Sequence, residues 1–247
     1  MRKNATVIVL AIALLGLAGS AYAVSTGDTA VTSVNVNGNN IVAVGTTNPV
    51  TFTVTVVATD DSGIKDADFY LYGSASAFLG PSGAIGCVAS SATESTCTGT
   101  FTVNPRIDLW DNDQAGQWQV ATQVEANDGD FFTNEQAGLF NLQRFSRLTA
   151  NAFPEPVSQG GTITVTGSLT RANWETHNYT GYAESVRLQS RSKSGTVYGD
   201  VKTAASSASG QLRATVTATT DKCWRWDFDE TSTTMAVTSG GDCVDVR

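Results

Sequence analysis

The chain has 247 residues, a net charge of −8, 41% hydrophobic residues and only 15% charged ones. That length allows one large or two ordinary domains, each with its own core. The acidic balance argues against nucleic acid or anionic lipid as partners, because both would be repelled.

Arg2 and Lys3 precede the apolar run "VIVLAIALLGL" (7–17), and "AGSAYA" offers an Ala-x-Ala cleavage site ending at Ala23. This order predicts an export signal over 1–23. Eleven apolar residues are too few to span a bilayer and no second long run follows, so the expectation is a secreted, extracellular protein without a membrane anchor. The excess charge is unevenly placed. Residues 24–145 hold 13 acidic and three basic side chains, whereas 146–247 hold ten of each. The acidity of the first part also serves solubility.

Thr, Val, Ser and Gly dominate, and runs such as "VTFTVTVVA" alternate with period two, which predicts strands rather than helices. In chain order the expected strands are 31–36, 41–44, 50–58, 66–72, 84–89, 97–103, 117–126 and 138–145. Seven or eight strands in about 120 residues is the number of a β-sandwich. Its inward face takes Phe52, Val54 and Val56 from one strand and Trp118, Val120 and Val124 from another. The two prolines and paired glycines of "NAFPEPVSQGG" mark a connection rather than a strand. A second series follows at 162–170, 185–191, 196–202, 211–219, 223–228 and 243–246. The fold class is therefore all-β, with a first sandwich over 24–145 and a second over 146–247. In "CWRWDF", Trp224, Trp226 and Phe228 share one strand face, expected to be core.

Four cysteines in an exported chain should pair, and four allow three connectivities. The favoured one joins Cys87 to Cys97, closing a short polar hairpin, and Cys223 to Cys243, joining two late strands. Their spacing, with a single His in the chain, speaks against a zinc site.

The stretches "VTSVNVNGNNIVAVGTTNPVTFTVTVVATDDSGI", "ANDGDF", "LTANAFPEPVSQGGTITVTGSLTRANWETHNYTGY" and "TSTTMAVTSGGDCVDVR" together resemble a group of exported actinobacterial proteins built of two tandem Ig-like modules. The resemblance covers nearly all of the chain after the signal. It implies an Ig-like fold and, since members often carry a calcium-binding label, Ca2+; no biological role is established for the group. Cys223 and Cys243 fall where the group commonly has aromatic residues, so the resemblance implies that their disulfide is a local addition.

Antiparallel strands bring alternate loops to the same end of a sandwich. Asp60 and Asp61 should then stand beside Asp128 and Asp130, with Asp66 within reach. A second acidic turn, "DLWDNDQAG", carries Asp108, Asp111 and Asp113, and is expected at the opposite end. Calcium takes six to eight oxygen ligands, including carboxylates, so either set is a candidate metal site, although neither loop matches an EF-hand. Asp and Asn are also ordinary turn residues that bond their own backbone.

For catalysis the chain offers little. His177 is the lone imidazole, and no nucleophile-elbow or zinc-protease motif occurs, so the expectation is a non-enzymatic protein. The partner is then an extracellular protein or a glycan. As the alternative reading, a carbohydrate-binding module, "RANWETHNYTGY" supplies Trp174, Tyr179 and Tyr182, and "WDNDQ" adds Trp110, for stacking against sugar rings.

Overall fold

The computed structural model describes residues 23–247. The export signal assigned to 1–23 lies, but for Ala23, outside the described residues. Among these the helical content is one turn of 3-10 helix at Asn112–Gln114, and the rest of the regular structure is strand. The strands are β1 (Val24–Thr26), β2 (Ala30–Val36), β3 (Ile41–Val44), β4 (Val50–Thr59), β5 (Ile64–Tyr72), β6 (Phe78–Leu79), β7 (Gly86–Ala89), β8 (Glu94–Val103), β9 (Gly116–Ala126) and β10 (Phe131–Arg144). There follow β11 (Ser146–Leu148), β12 (Asn151–Phe153), β13 (Thr162–Asn173), β14 (Asn178–Gly181), β15 (Ser185–Ser192), β16 (Gly199–Ala205), β17 (Gln211–Thr217), β18 (Lys222–Phe228), β19 (Val237–Thr238) and β20 (Asp242–Val244).

Two compact units emerge. The first takes its described residues from 23–42, 49–104 and 117–142; the second takes 43–48, 105–116 and 143–247. The second unit thus draws residues 43–48, 105–116 and 143–145 from the part of the chain that sequence alone gives to the first sandwich.

In the first unit one sheet has the order β2-β4-β8-β7 and the other β1-β10-β9-β5-β6, with β3 also pairing β10. Four strands of one layer (first, second, fifth and fourth main strands) face a layer built on the third, sixth and seventh, which is the Ig-like arrangement. β4 shows why these residues choose strand. Thr51, Thr53 and Thr55 face out, opposite Thr102, Thr100 and Thr98 of β8, and the Thr51 and Thr102 hydroxyls meet at 2.9 Å. Phe52, Val54, Val56 and Ala58 face in and are buried, so β-branched residues pack on both faces of one pleat. Phe52 stacks on Phe101 at 5.9 Å and meets Phe140 at 6.2 Å; Trp118 meets Phe140 at 6.0 Å. A Cβ on Gly73 would stand 2.4 Å from the Trp118 ring, so only glycine lets that indole close the core.

The second unit pairs a layer of β12, β13 and β17, with β11 and β14 also on β13, against β16-β15-β18-β19, with β20 on β18. Trp224, Trp226 and Phe228 lie in its core with Ile163, Val165, Leu188 and Leu212, as the period-two reading expects. Trp226 rests against Gly167 and donates its indole N–H to the Thr166 carbonyl at 3.1 Å, so the ring is buried without an orphaned donor. The proline-rich connection contains a strand after all. β12 pairs with Thr164–Thr166 of β13 just before the prolines begin.

Both disulfides form as favoured on sequence, Cys87 with Cys97 and Cys223 with Cys243. Each joins residues directly opposite one another on neighbouring strands of one sheet.

Candidate functional site

At one end of the first unit three connections meet: β1–β2 with Gly27, Asp28 and Thr29, β4–β5 with Asp60 to Gly63, and β9–β10 with Asn127 to Asp130. The meeting is held by hydrogen bonds between them. The Asn127 amide donates to the Ser62 carbonyl at 2.9 Å, the Asp128 backbone N–H to the Ser62 hydroxyl at 3.2 Å, and the Asn127 N–H to the Gly63 carbonyl at 3.0 Å. Gly63 and Gly129 sit at positive φ, which lets both turns be this tight.

Asp60 is the centre of the cluster and is buried. Its Oδ1 accepts from the Ser62 N–H (2.8 Å) and hydroxyl (2.6 Å), and its Oδ2 accepts from the Thr29 hydroxyl (2.6 Å). Burial pushes this carboxyl upward, but the bonds from Ser62 and Thr29 outweigh it and hold Asp60 below the usual carboxylate range. Carboxylate oxygens of Asp28, Asp60 and Asp130 lie within 4.8 Å of one another, and so do those of Asp60, Asp61 and Asp128. The expected quartet of Asp60, Asp61, Asp128 and Asp130 is therefore gathered in two overlapping groups that share Asp60.

Asp130 bears the strain of this crowding. Lost hydration raises its pKa, and the charges of Asp128, Asp60 and Asp28 raise it further against one hydrogen bond from the Asp28 backbone. Its carboxylate lies directly over Gly27, where a Cβ would stand 1.4 Å from Oδ2. No ion pair reaches any of the five carboxylates among the described residues. An all-oxygen set suits a hard cation and not zinc. The donors fit calcium within limits, because three of the roughly four lone-pair sites of Asp60 are already engaged by Ser62 and Thr29.

Asp28 escaped the sequence reading because it precedes the first strand expected there. The signal was "TGDT", a Gly-Asp turn just ahead of an alternating run. Asp66, considered alongside the quartet, instead bonds its own neighbour's N–H and joins neither group.

The 108–113 turn belongs to the second unit and gathers no such carboxylate group among the described residues. Asp111 caps the 3-10 turn: its side chain accepts from the Asp113 N–H at 2.8 Å, while Gln114 Oε1 accepts from the N–H groups of Asp111 and Trp110 at 3.0 and 2.7 Å. That is a capping box, Asp-x-x-Gln, readable in "DNDQ". One positive charge near Asp113 is that of Arg144. Its buried guanidinium donates Nε–H to the Ala172 carbonyl. Burial and the nearby Arg171 push it down to about 10, while Glu175, Tyr182 and Asp113 oppose the fall. Asp111 thus caps the turn, and Asp113 lies within the field of Arg144.

The aromatic segment also differs from expectation. Trp174 is fully buried, with its indole N–H bonded to the Gly45 carbonyl at 3.0 Å and its backbone N–H to Asn112 Oδ1 at 3.0 Å. The segment forms a hairpin, β13 to β14, rather than a free loop. Arg147 covers the Tyr179 ring at 3.5 Å and Arg171 covers Tyr182 at 3.8 Å. Of the four candidates Trp110 alone, 56% exposed, presents an open ring.

No protein-family model matches the chain, and no curated protein matches it significantly. Among solved structures it is similar to the adhesin InvE of Yersinia pseudotuberculosis at 14% identity, covering 89% of this chain and 58% of that one with a TM-score of 0.33. It is similar to the D0-D1 domain of intimin at 16% identity, covering 87% and 98% with a TM-score of 0.29. Dimeric latent PorU of Porphyromonas gingivalis matches at 12% identity over 88% of this chain and a fifth (20%) of its own, with a TM-score of 0.29. At these scores the neighbours say nothing of function.

Proposed function

We propose that this chain is an exported, non-enzymatic binding protein whose first unit takes up calcium at the Asp28, Asp60, Asp61, Asp128 and Asp130 end. The observation that carries the reading is the convergence of carboxylate oxygens from three connections far apart in sequence, all within 4.8 Å in each group. In support, the charges of Asp128, Asp60 and Asp28 add to lost hydration in raising Asp130, and no ion pair reaches the cluster among the described residues. A divalent ion would remove that repulsion and fix the three connections against one another. Two formed disulfides agree with an oxidising, extracellular setting, and the leader-like N-terminus agrees with export.

Sites of this kind in extracellular modules bind calcium at micromolar to millimolar concentration. Titration calorimetry and thermal melts of the full chain, in calcium and in chelator, test the reading. The expected result is saturable heat and a rise in melting temperature of about 5–11 °C when calcium is near a hundredfold above its dissociation constant. Equal melts in millimolar calcium and in chelator would overturn it.

A further inference from the structure

The outer face of the sheet formed by β10, β9, β5 and β6 carries an aromatic cluster that the calcium reading does not use. Tyr70, Tyr72 and Phe78 are 39, 44 and 51% exposed, although they already cover one another. Phe78 stacks on Tyr70 at 5.8 Å and tilts onto Tyr72 at 5.3 Å. The register explains the cluster. Phe78 of β6 stands opposite Tyr72 of β5, and its ring leans over Gly80, where even a Cβ would only graze it. The connections next to β6, "GSASA" before it and "GPSGA" after it, carry only Gly, Ala, Ser and Pro, which do not reach over the rings.

Beside these rings lie polar groups in regular order. Tyr72 pairs with Gln119, Tyr70 with Ala121 and Asp68 with Gln123 across β5 and β9, and all face the same way as the rings. The platform therefore offers three ring faces, the small Ala121, two carboxamides, a carboxylate and two phenolic hydroxyls. Nothing on it is cationic. The face's own strands β5, β6 and β9 hold one basic residue, Lys65, and it is bound to Glu125 at 2.6 Å.

We propose that Tyr70, Tyr72 and Phe78 form a binding platform for a neutral, β-linked polysaccharide. Such a chain has flat apolar ring faces that stack on aromatic rings and a rim of hydroxyls that both donate and accept. Gln119, Gln123 and Asp68 match that rim, since a carboxamide does both and a carboxylate needs donors. Charge excludes the nearest rivals. A single-stranded nucleic acid also stacks on aromatics but needs cations along its backbone, and an anionic glycan needs them equally. A polyproline segment would fit the rings, but it has no backbone N–H and leaves Asp68 without a donor.

The experiment measures retention of the full chain on insoluble cellulose and chitin, and its retardation by a soluble β-glucan in affinity electrophoresis, all in chelator so that calcium plays no part. Two variants accompany it: Tyr70→Ala/Tyr72→Ala/Phe78→Ala, with its melting temperature as the folding control, and Gln119→Ala/Gln123→Ala, which leaves the rings in place. The expected result is binding to at least one glycan, lost by at least about tenfold in the ring variant and weakened in the glutamine variant. No binding to any of the three glycans overturns the proposal, as does undiminished binding by a folded ring variant. Binding to a polyproline peptide alone, or self-association that the ring variant abolishes in the absence of glycan binding, overturns it in favour of a protein occupant.

Discussion

The Thr29 hydroxyl donates to Asp60 Oδ2 at 2.6 Å across 31 positions of chain, tying the connection before β2 to the end of β4. The acidic cluster is therefore built around one carboxylate that the fold itself satisfies, and the others crowd against it. Asp60 and Asp130 consequently respond to protons in opposite senses.

Asp60 is held below its ordinary pKa of 3.8. A carboxylate lowered in the folded state contributes stability that is full above its unfolded pKa and is lost as pH falls through the folded one. Thr29→Val removes a donor and leaves a buried carboxylate oxygen short of a partner, at a cost of about 1–3 kcal/mol. Melts in chelator from pH 7 downward should show Thr29→Val less stable than the parent at neutral pH, with the gap narrowing once Asp60 is protonated. A gap independent of pH would refute the assignment.

Asp130 is raised, so the sign reverses. Its ionised form opposes folding above its folded pKa, and the penalty fades as acid protonates it. Asp130→Asn should leave the chelated protein at least as stable as the parent at pH 7 while shrinking the calcium-induced rise in melting temperature. A variant that melts lower in chelator and keeps the full calcium response would contradict this geometry.

Two tryptophans separate packing from exposure. Trp174→Ala empties a fully buried site and should cost about 3–5 kcal/mol, read as a lower denaturation midpoint. Trp110→Ala, on an open ring, should change stability by about 0.5 kcal/mol or less. Equal effects would mean that the indole of Trp174 is not where the structure puts it.

The fold was legible because its signal is local. Alternation in "VTFTVTVVA" places Phe52, Val54 and Val56 inside, and that follows from pleat geometry alone. The meeting of Asp60 with Asp128 was legible for a topological reason, since antiparallel strands return loops to the same end. What failed was the assignment of exposure to residues outside strands. Trp174 sits in a polar segment, yet it is buried because Gly45, 129 positions earlier, accepts its indole N–H, and no window of sequence holds that pairing. The 108–113 segment reads as a turn from its Asp and Asn residues, and the structure has one there, capped through the Asp111 to Gln114 spacing. The short strands β1, β6, β11 and β12 carry two or three residues each, too few for a period to declare itself.

The cysteine pairs clip outer strands to their neighbours and do not bolt one sheet to the other: Cys87 holds β7 to β8, and Cys223 holds β20 to β18. Peeling from the margins, the path by which an edge would open and zip to a foreign strand, is covalently blocked at those two places. Separation of the layers, by contrast, meets no covalent link and is resisted by packed side chains with a few hydrogen bonds such as that of Trp226 to Thr166. A reducing agent should therefore loosen the hems of each sandwich before it parts the halves, and backbone hydrogen exchange would first quicken along β7 and β20 while β4 and β13 stayed protected.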